Sequence, residues 1–297
     1  MRSQALPPKL PTSRPWGATR EPRGWHHVAV IADNLPLLEF DADRSAVVEP
    51  SSTQRRVDAP AAAVACFFPE VVAEWAKHAR PILELPAQGK LWEVEKNGQR
   101  LALFYPGMGS PLAACRLERA IAAGCKVIIA CGAAGALDPQ LEMGQHVISV
   151  SAAIRDEGTS YHYLSPARKI EVSDEIVAVL TEVVELHGEM HTTGVTWTTD
   201  AFFRETRSRV SRRRAEGCIT VEMEAAALLA VAAFRGVQLG QYLYAGDNLA
   251  GAVWDHREWW ESRRREGLTE LAAEAALTLL QRTASLSQTP SKRTTPA

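Results

Sequence analysis

The sequence predicts an α/β fold, with helices layered on a largely parallel, twisted sheet. Three observations carry that prediction. Apolar, strand-like runs alternate with helix-like stretches of roughly ten to fifteen residues. Glycine and proline sit at the changes from one to the other. Charged and aromatic residues gather just after the strand runs, and ligands collect beyond the strand ends of such sheets. In chain order, Ala61 to Phe68 reads as an apolar strand, and Pro69 opens a helix that runs to Arg80. Arg100 to Tyr105 is a short strand broken by Pro106-Gly-Met-Gly-Ser-Pro111, and Leu112 to Ala123 is helical. Lys126 to Cys131 is a buried strand ending in Gly132-Ala-Ala-Gly135. Gln145 to Ala153 reads as strand, Ser173 to His187 as helix and Glu189 to Trp197 as strand. Val221 to Arg235 is a helix with an apolar body, Gln238 to Tyr244 a strand, and Leu268 to Arg282 the closing helix.

Composition bounds what surrounds this core. At 297 residues, 46% hydrophobic and 23% charged, the chain can bury one large core, so residues 25–282 are expected to form a single domain. Residues 1–24, rich in Pro and Arg without periodicity, read as a disordered extension, and 283–297 as a disordered tail. A net charge of −2 gives no basic field for nucleic acid or an anionic membrane. Arg212, Arg213 and Arg214 read as a solvated helix face. No apolar run reaches the ~18 residues of a membrane span, and the N-terminus lacks the apolar stretch of a secretory signal. Cys66, Cys115, Cys125, Cys131 and Cys218 lack paired metal-type spacing. Their odd number, mostly in apolar segments, fits reduced thiols in a cytoplasmic protein without a metal site.

Six segments could carry chemistry. In Tyr105-Pro-Gly107-Met-Gly109-Ser110-Pro111, the glycines let backbone approach a ligand, Ser110 suits an N-cap and Pro111 a first helical turn. The free N–H groups there would suit an anion, though a well-capped turn looks the same. Gly132-Ala-Ala-Gly135 either bares backbone to a substrate or permits tight packing. The loop from Ile154 to Tyr163 crowds Arg155, two acids and three rings after a strand, as a site or a subunit contact would. Thr198-Thr-Asp200-Ala-Phe202 puts a ring at a strand end, either for stacking or for the core. Glu222-Met223-Glu224 places two carboxylates in an apolar helix. Burying them costs several kcal/mol unless they are paired, and a carboxylate can accept both cis hydroxyls of ribose. Asp247 follows the strand that ends at Tyr244, where a catalytic acid or an Asx-turn belongs.

Taken in this order, the six segments resemble the nucleoside phosphorylase family of uridine phosphorylases and hexameric purine nucleoside phosphorylases. The likeness is closest to the uridine phosphorylases and covers Ala61 to Leu280, with Glu222-Met223-Glu224 its most specific element. It implies a three-layer α/β/α sandwich around a central mixed, largely parallel twisted sheet. It also implies active sites shared within a homo-oligomer, a dimer or hexamer, acting on a nucleoside and phosphate. No metal or organic cofactor is implied, phosphate being a co-substrate. Glu224 would hold the ribose 2′ and 3′ hydroxyls, with Met223 against the sugar and Glu222 nearby, and Phe202 would cover the base. Asp247 would protonate the departing ring nitrogen, for which burial would have to raise its pKa. Gly109 and Gly132 would border the site.

The pattern departs from that family in three places. The Gly-Asp-Pro-x-Arg turn that supplies a phosphate arginine has no counterpart, and the Arg and Ser/Thr of the small-residue turn are Ala130 and Ala133. A dianion held by backbone alone binds weakly, so Arg155 or an arginine of a neighbouring subunit would have to compensate. Otherwise water is the nucleophile and the chain is a nucleoside hydrolase. The family's base-reading Gln and Arg also have no clear match. Arg204 is the candidate reader, with overall likeness favouring a pyrimidine and Asp247 a purine. A non-catalytic nucleoside-binding scaffold is a third reading, but it would not need Glu224, Met223, Phe202 and Asp247 together.

Overall fold

A computed structural model describes residues 35–141, 143–251, 253–255 and 262–287. The extension at 1–24 and the start of the expected 25–282 domain lie outside the described residues. So does 288–297 of the tail.

The chain runs β1 (Ala62–Cys66), α1 (Pro69–Ala76), β2 (Arg80–Leu85), β3 (Gly89–Lys96), β4 (Gln99–Phe104) and α2 (Ser110–Ala123). It continues through β5 (Val127–Ala136), β6 (Val147–Asp156), β7 (Lys169–Glu171), α3 (Asp174–Leu186) and β8 (His191–Thr199). α4 (Arg207–Ala215), β9 (Cys218–Glu222), α5 (Ala225–Arg235), β10 (Gln238–Asn248) and α6 (Ser262–Ser287) complete it. The strands join in one mixed sheet in the order β10-β6-β8-β9-β5-β1-β4-β3-β2, with β7 beside β6. β1 lies parallel between β4 and β5, and β10 runs parallel to β5 on its other side. β10 also pairs antiparallel with β6, and β9 with the end of β5, so β5, β10, β6, β8 and β9 close into a ring. α2 packs on α5, and α3 on α6, giving the helical layers of the α/β/α sandwich.

β5 is covered on both faces, which is why Val127 to Cys131 is a continuous apolar run rather than an alternating one. Ser173 caps α3, its hydroxyl accepting the Ile176 N–H, and Asp174 and Glu175 in the first turn favour that end of the helix dipole. Among the described residues, no helix is long and apolar enough to cross a membrane. All five cysteines are unpaired, four of them buried and Cys115 exposed.

Three expectations are corrected. The stretch from Val221 to Arg235 is not one helix: β9 ends at Glu222 and α5 starts at Ala225, so Glu222-Met223-Glu224 is a strand-to-helix junction. The last helix runs through Ser287, past the expected boundary at 282, because Leu268, Leu271, Ala275 and Leu279 anchor it on the core. Of the arginine cluster in α4, Arg212 and Arg214 are solvated. Arg213 is buried, bound to Asp156 and Glu216 with its guanidinium over Trp197.

Candidate active site

The ring of strands opens at its carboxyl ends into a cavity of about 410 Å³. β5 contributes Gly132 to Gly135, β9 contributes Val221 and Glu222, and β10 contributes Gln241, Leu243 and Asp247. Met223 and Glu224 follow β9, Phe202 and Glu205 come from the turn after β8, and Phe67 and Phe68 follow β1. The residues expected to hold the sugar, cover the base and supply the acid therefore share one wall-to-wall space.

The carboxylate junction is built by hydrogen bonds across the chain. Glu222, 7% exposed, accepts the Thr198 hydroxyl at 2.6 Å on Oε1. Its Oε2 accepts the backbone N–H groups of Glu224 and Ala225, both at 2.7 Å. Thr198 Oγ1 accepts the Ala226 N–H at 3.0 Å, so β8 and Glu222 together satisfy the open end of α5. That arrangement fixes Glu224, also 7% exposed, whose Oε1 accepts the Gly109 N–H at 2.6 Å. Gly109 has φ 91°, a left-handed conformation that costs glycine little, and this turns its N–H toward Glu224. Ser110 is not the N-cap of α2 but its first residue, and its hydroxyl donates to the Met223 carbonyl at 2.7 Å. Burial raises the Glu222 carboxyl to about 7 against the pull of its donors. Burial and then the neighbouring Glu222 charge raise Glu224 to about 8.

The same cavity holds a second acidic pair. Asp247 is 1% exposed, and its Oδ2 accepts the Trp254 indole N–H at 2.5 Å. Glu205 faces the same space, raised to about 8 by burial first and Asp247 second. Glu205 was not singled out from the sequence, where Arg204 was. Phe202 to Arg204 form a single 3-10 turn that points Arg204 to solvent and the next side chain inward. Phe202 lines the cavity, its ring edge-on to Phe203 at 4.8 Å, while Phe203 is 92% exposed.

Arg155 is not on the cavity wall. Its guanidinium donates to Ser160 Oγ and to the carbonyls of Leu164, Ser165 and Ala167, and stacks over Tyr161 at 4.0 Å. It ties the loop after β6 together. Ala130 is buried beneath the floor, and Gln241 stands opposite it in register, so the two project to the same face. Gln241 is 2% exposed, and its Oε1 has no hydrogen-bond partner among the described residues. After β1, the cavity wall is Phe67, Phe68 and Glu70, with Glu70 paired to Arg265 of α6 at 2.6 Å. Among the described lining residues, Arg265 is the single cation, facing Glu70, Glu205, Glu222, Glu224 and Asp247.

Residues 61–284 match the family model of the Phosphorylase superfamily. The chain belongs to that family. The guanosine phosphorylase of Halorubrum lacusprofundi is 29% identical over 169 residues, covering 56% of this chain and 70% of its own length. The uridine phosphorylase of Thermococcus kodakarensis is 28% identical over 201 residues, covering 58% and 72%. The purine nucleoside phosphorylase of Toxoplasma gondii superposes with a TM-score of 0.67 at 19% identity, covering 76% of this chain and 93% of that one, and so shares the fold. As a nucleoside phosphorylase homologue, the chain has a family whose members act on nucleosides and phosphate.

Proposed function

We propose that the protein is a pentosyltransferase that cleaves the N-glycosidic bond of a nucleoside with phosphate, by chemistry like that of the uridine phosphorylases. Phosphate forms a bond to C1′ as the C1′–N bond breaks, giving ribose 1-phosphate and a free base. The observation that carries this reading is that Glu224, Phe202 and Asp247 line one cavity. Glu224 accepts the 2′ and 3′ hydroxyls as a carboxylate, Met223 packs on the sugar and Phe202 covers the base. As the bond stretches, positive charge develops on the ribose ring between buried carboxylates in a site of low dielectric, which lowers the barrier. The departing base gains negative charge and takes a proton at the Asp247 end.

Phosphate enters beside Arg265, and a neighbouring subunit supplies further positive charge in a dimer or hexamer whose sites are shared. The protein works in the cytoplasm, without metal or organic cofactor and without nucleic-acid or membrane partners. The hydrolytic alternative, raised by Ala130 and Ala133, finds no support in the family or in the relatives named. Those relatives act on different bases, so the base is decided by the side chains at the Asp247 end. A nucleoside panel incubated with and without phosphate tests the reading. Ribose 1-phosphate should form only with phosphate, free ribose at equal rates in its absence would establish hydrolysis, and intact nucleosides would refute both.

A further inference from the structure

We propose that Arg265 of α6 is the cation that receives phosphate, and that Glu70, its ion-pair partner, occupies that place in the empty site and must be displaced before phosphate binds. This rests on the cavity being the phosphate-using site proposed above. Arg265 is 9% exposed and is steadied from two further sides. Its Nε donates to the Tyr244 hydroxyl at 3.3 Å, and its guanidinium lies over the Phe68 ring at 5.3 Å. Tyr244 pairs with Ala133 in register, and Gly132, Ala133 and Arg265 line the same cavity.

The two partners of the ion pair are not equivalent. Arg265 Nη1 donates to Glu70 Oε1 at 2.6 Å, yet the Arg265 side chain is 11% exposed and that of Glu70 47%. The glutamate can therefore rotate into water, while the arginine, packed on Phe68 and bonded to Tyr244, stays. Glu70 sits in the first turn of α1, an eight-residue helix whose N-cap, Phe68, supplies no side-chain acceptor. The helix dipole favours negative charge at that end, so an anion that takes the place of Glu70 on Arg265 meets the same field. A phosphate dianion also makes stronger charge-assisted bonds to a guanidinium than a half-exposed carboxylate does. With Glu70 still in place, the incoming dianion would face its carboxylate together with those of Glu205, Glu222, Glu224 and Asp247. Exchange removes the acid nearest to the arginine. The pair thus works as a latch whose strength lowers the apparent affinity for phosphate. If it is closed about 80% of the time, as suits an ion pair with one exposed partner, phosphate binds about fivefold more weakly than it would to the open site.

Inorganic phosphate alone, titrated calorimetrically without nucleoside, tests this on the wild type, Glu70→Gln and Arg265→Gln. Glu70→Gln should tighten phosphate binding about fivefold, and phosphate should raise its melting temperature by more than it raises that of the wild type. Arg265→Gln should weaken phosphate at least about tenfold, and the double variant should match it, because the latch then has nothing to release. An ion pair that merely ties α1 to α6 would not give tighter phosphate binding when Glu70 loses its charge. Phosphate binding unchanged or weakened in Glu70→Gln, or unchanged in Arg265→Gln, overturns the assignment. Should Arg265→Gln fail to fold, the gain or its absence in Glu70→Gln decides alone. The nucleoside assay separates the latch from the activity. Phosphate affinities that shift as expected, with no ribose 1-phosphate from any nucleoside, would uphold the latch and refute phosphorolysis. Ribose 1-phosphate formed with the same KM for phosphate in all three proteins would refute the latch and leave phosphorolysis standing.

Discussion

Glu222→Gln separates the two tasks that the carboxylate junction performs. The wild-type carboxylate receives three hydrogen bonds, from Thr198 and from the N–H groups of Glu224 and Ala225. An amide keeps a single acceptor oxygen. If that oxygen stays on the two N–H groups, its NH₂ faces Thr198, whose oxygen already accepts the Ala226 N–H, and the threonine proton loses its acceptor. If the amide flips, both N–H groups at the start of α5 lose theirs. Each orphaned buried donor costs about 1–3 kcal/mol, and the bonds that remain lose their charge assistance. Part of this is offset because a neutral amide is cheaper to bury than a carboxylate, whose pKa burial has raised to about 7. The net loss is therefore about 1–3 kcal/mol, a fall of about 3–10 °C in melting temperature for a domain of this size.

The same change has a second, oppositely directed signature at Glu224. The Glu222 charge is the largest influence after burial that holds Glu224 near 8. Without that charge the Glu224 carboxyl ionises at lower pH. With Glu224 in its proposed role, accepting two hydroxyls as a carboxylate, the acid limb of the kcat/KM profile should move to lower pH. Thermal melts and initial rates across neutral pH read both effects. A variant that melts at or above the wild type, with its acid limb unmoved, would show that Glu222 neither holds α5 nor acts on Glu224.

Glu224→Gln keeps an acceptor for the Gly109 N–H but loses one for the diol. Its kcat/KM on the preferred nucleoside should fall about 100-fold with little change in melting, and unaltered kinetics would remove the sugar clamp. Arg155→Ala strips the loop after β6 of its bonds to Ser160, Leu164, Ser165 and Ala167. Stability should fall by about 2–4 kcal/mol and amide exchange in 160–167 should quicken, while kcat/KM of the folded enzyme stays within about threefold. Slower turnover without faster exchange would place Arg155 in the chemistry instead. The unliganded protein should lose stability as pH rises through 7 and 8. Glu205, Glu222 and Glu224 all titrate above the ordinary carboxylate value of 4.5, so the native state binds more protons than the unfolded chain over that interval. Melting temperatures that climb between pH 6 and 9 would contradict this sign, where both limits are approximate choices bracketing those values.

The layered fold was legible because its central strands are buried on both faces. Ile128-Ile-Ala-Cys131 and Gln238 to Tyr244 could hardly be anything else, and each ends at a cavity-lining turn. The strands β2 and β3 were not read, although Asn97-Gly98, with φ of 51° and 74°, is a strong hairpin signal before β4. β9 was hidden for a different reason. Cys218 to Glu222 runs straight into an apolar helix buried all round, so no change of period marks the junction. Glu222 and Glu224 were found as residues but placed in the wrong element, and the hydrogen bonds that define their roles come from strands and turns distant in sequence. Arg155 looked functional because its partners are mostly main-chain carbonyls, which no side-chain pattern reveals. Glu205 was missed because a single tight turn decides which of two adjacent charged side chains faces inward.

The contact between Gly109 and Glu224 joins positions 115 residues apart, and Ser110 reaches Met223 over 113. Neither half of the polypeptide can form this corner, the proposed pentose site, alone, since each brings only one side of it. Closing a loop that long is slow and entropically costly, so this corner should be among the late events of folding. On the proposed function, a nucleoside bound there would act as a clasp between the two halves, and an incompletely folded molecule would have no means of capturing its sugar.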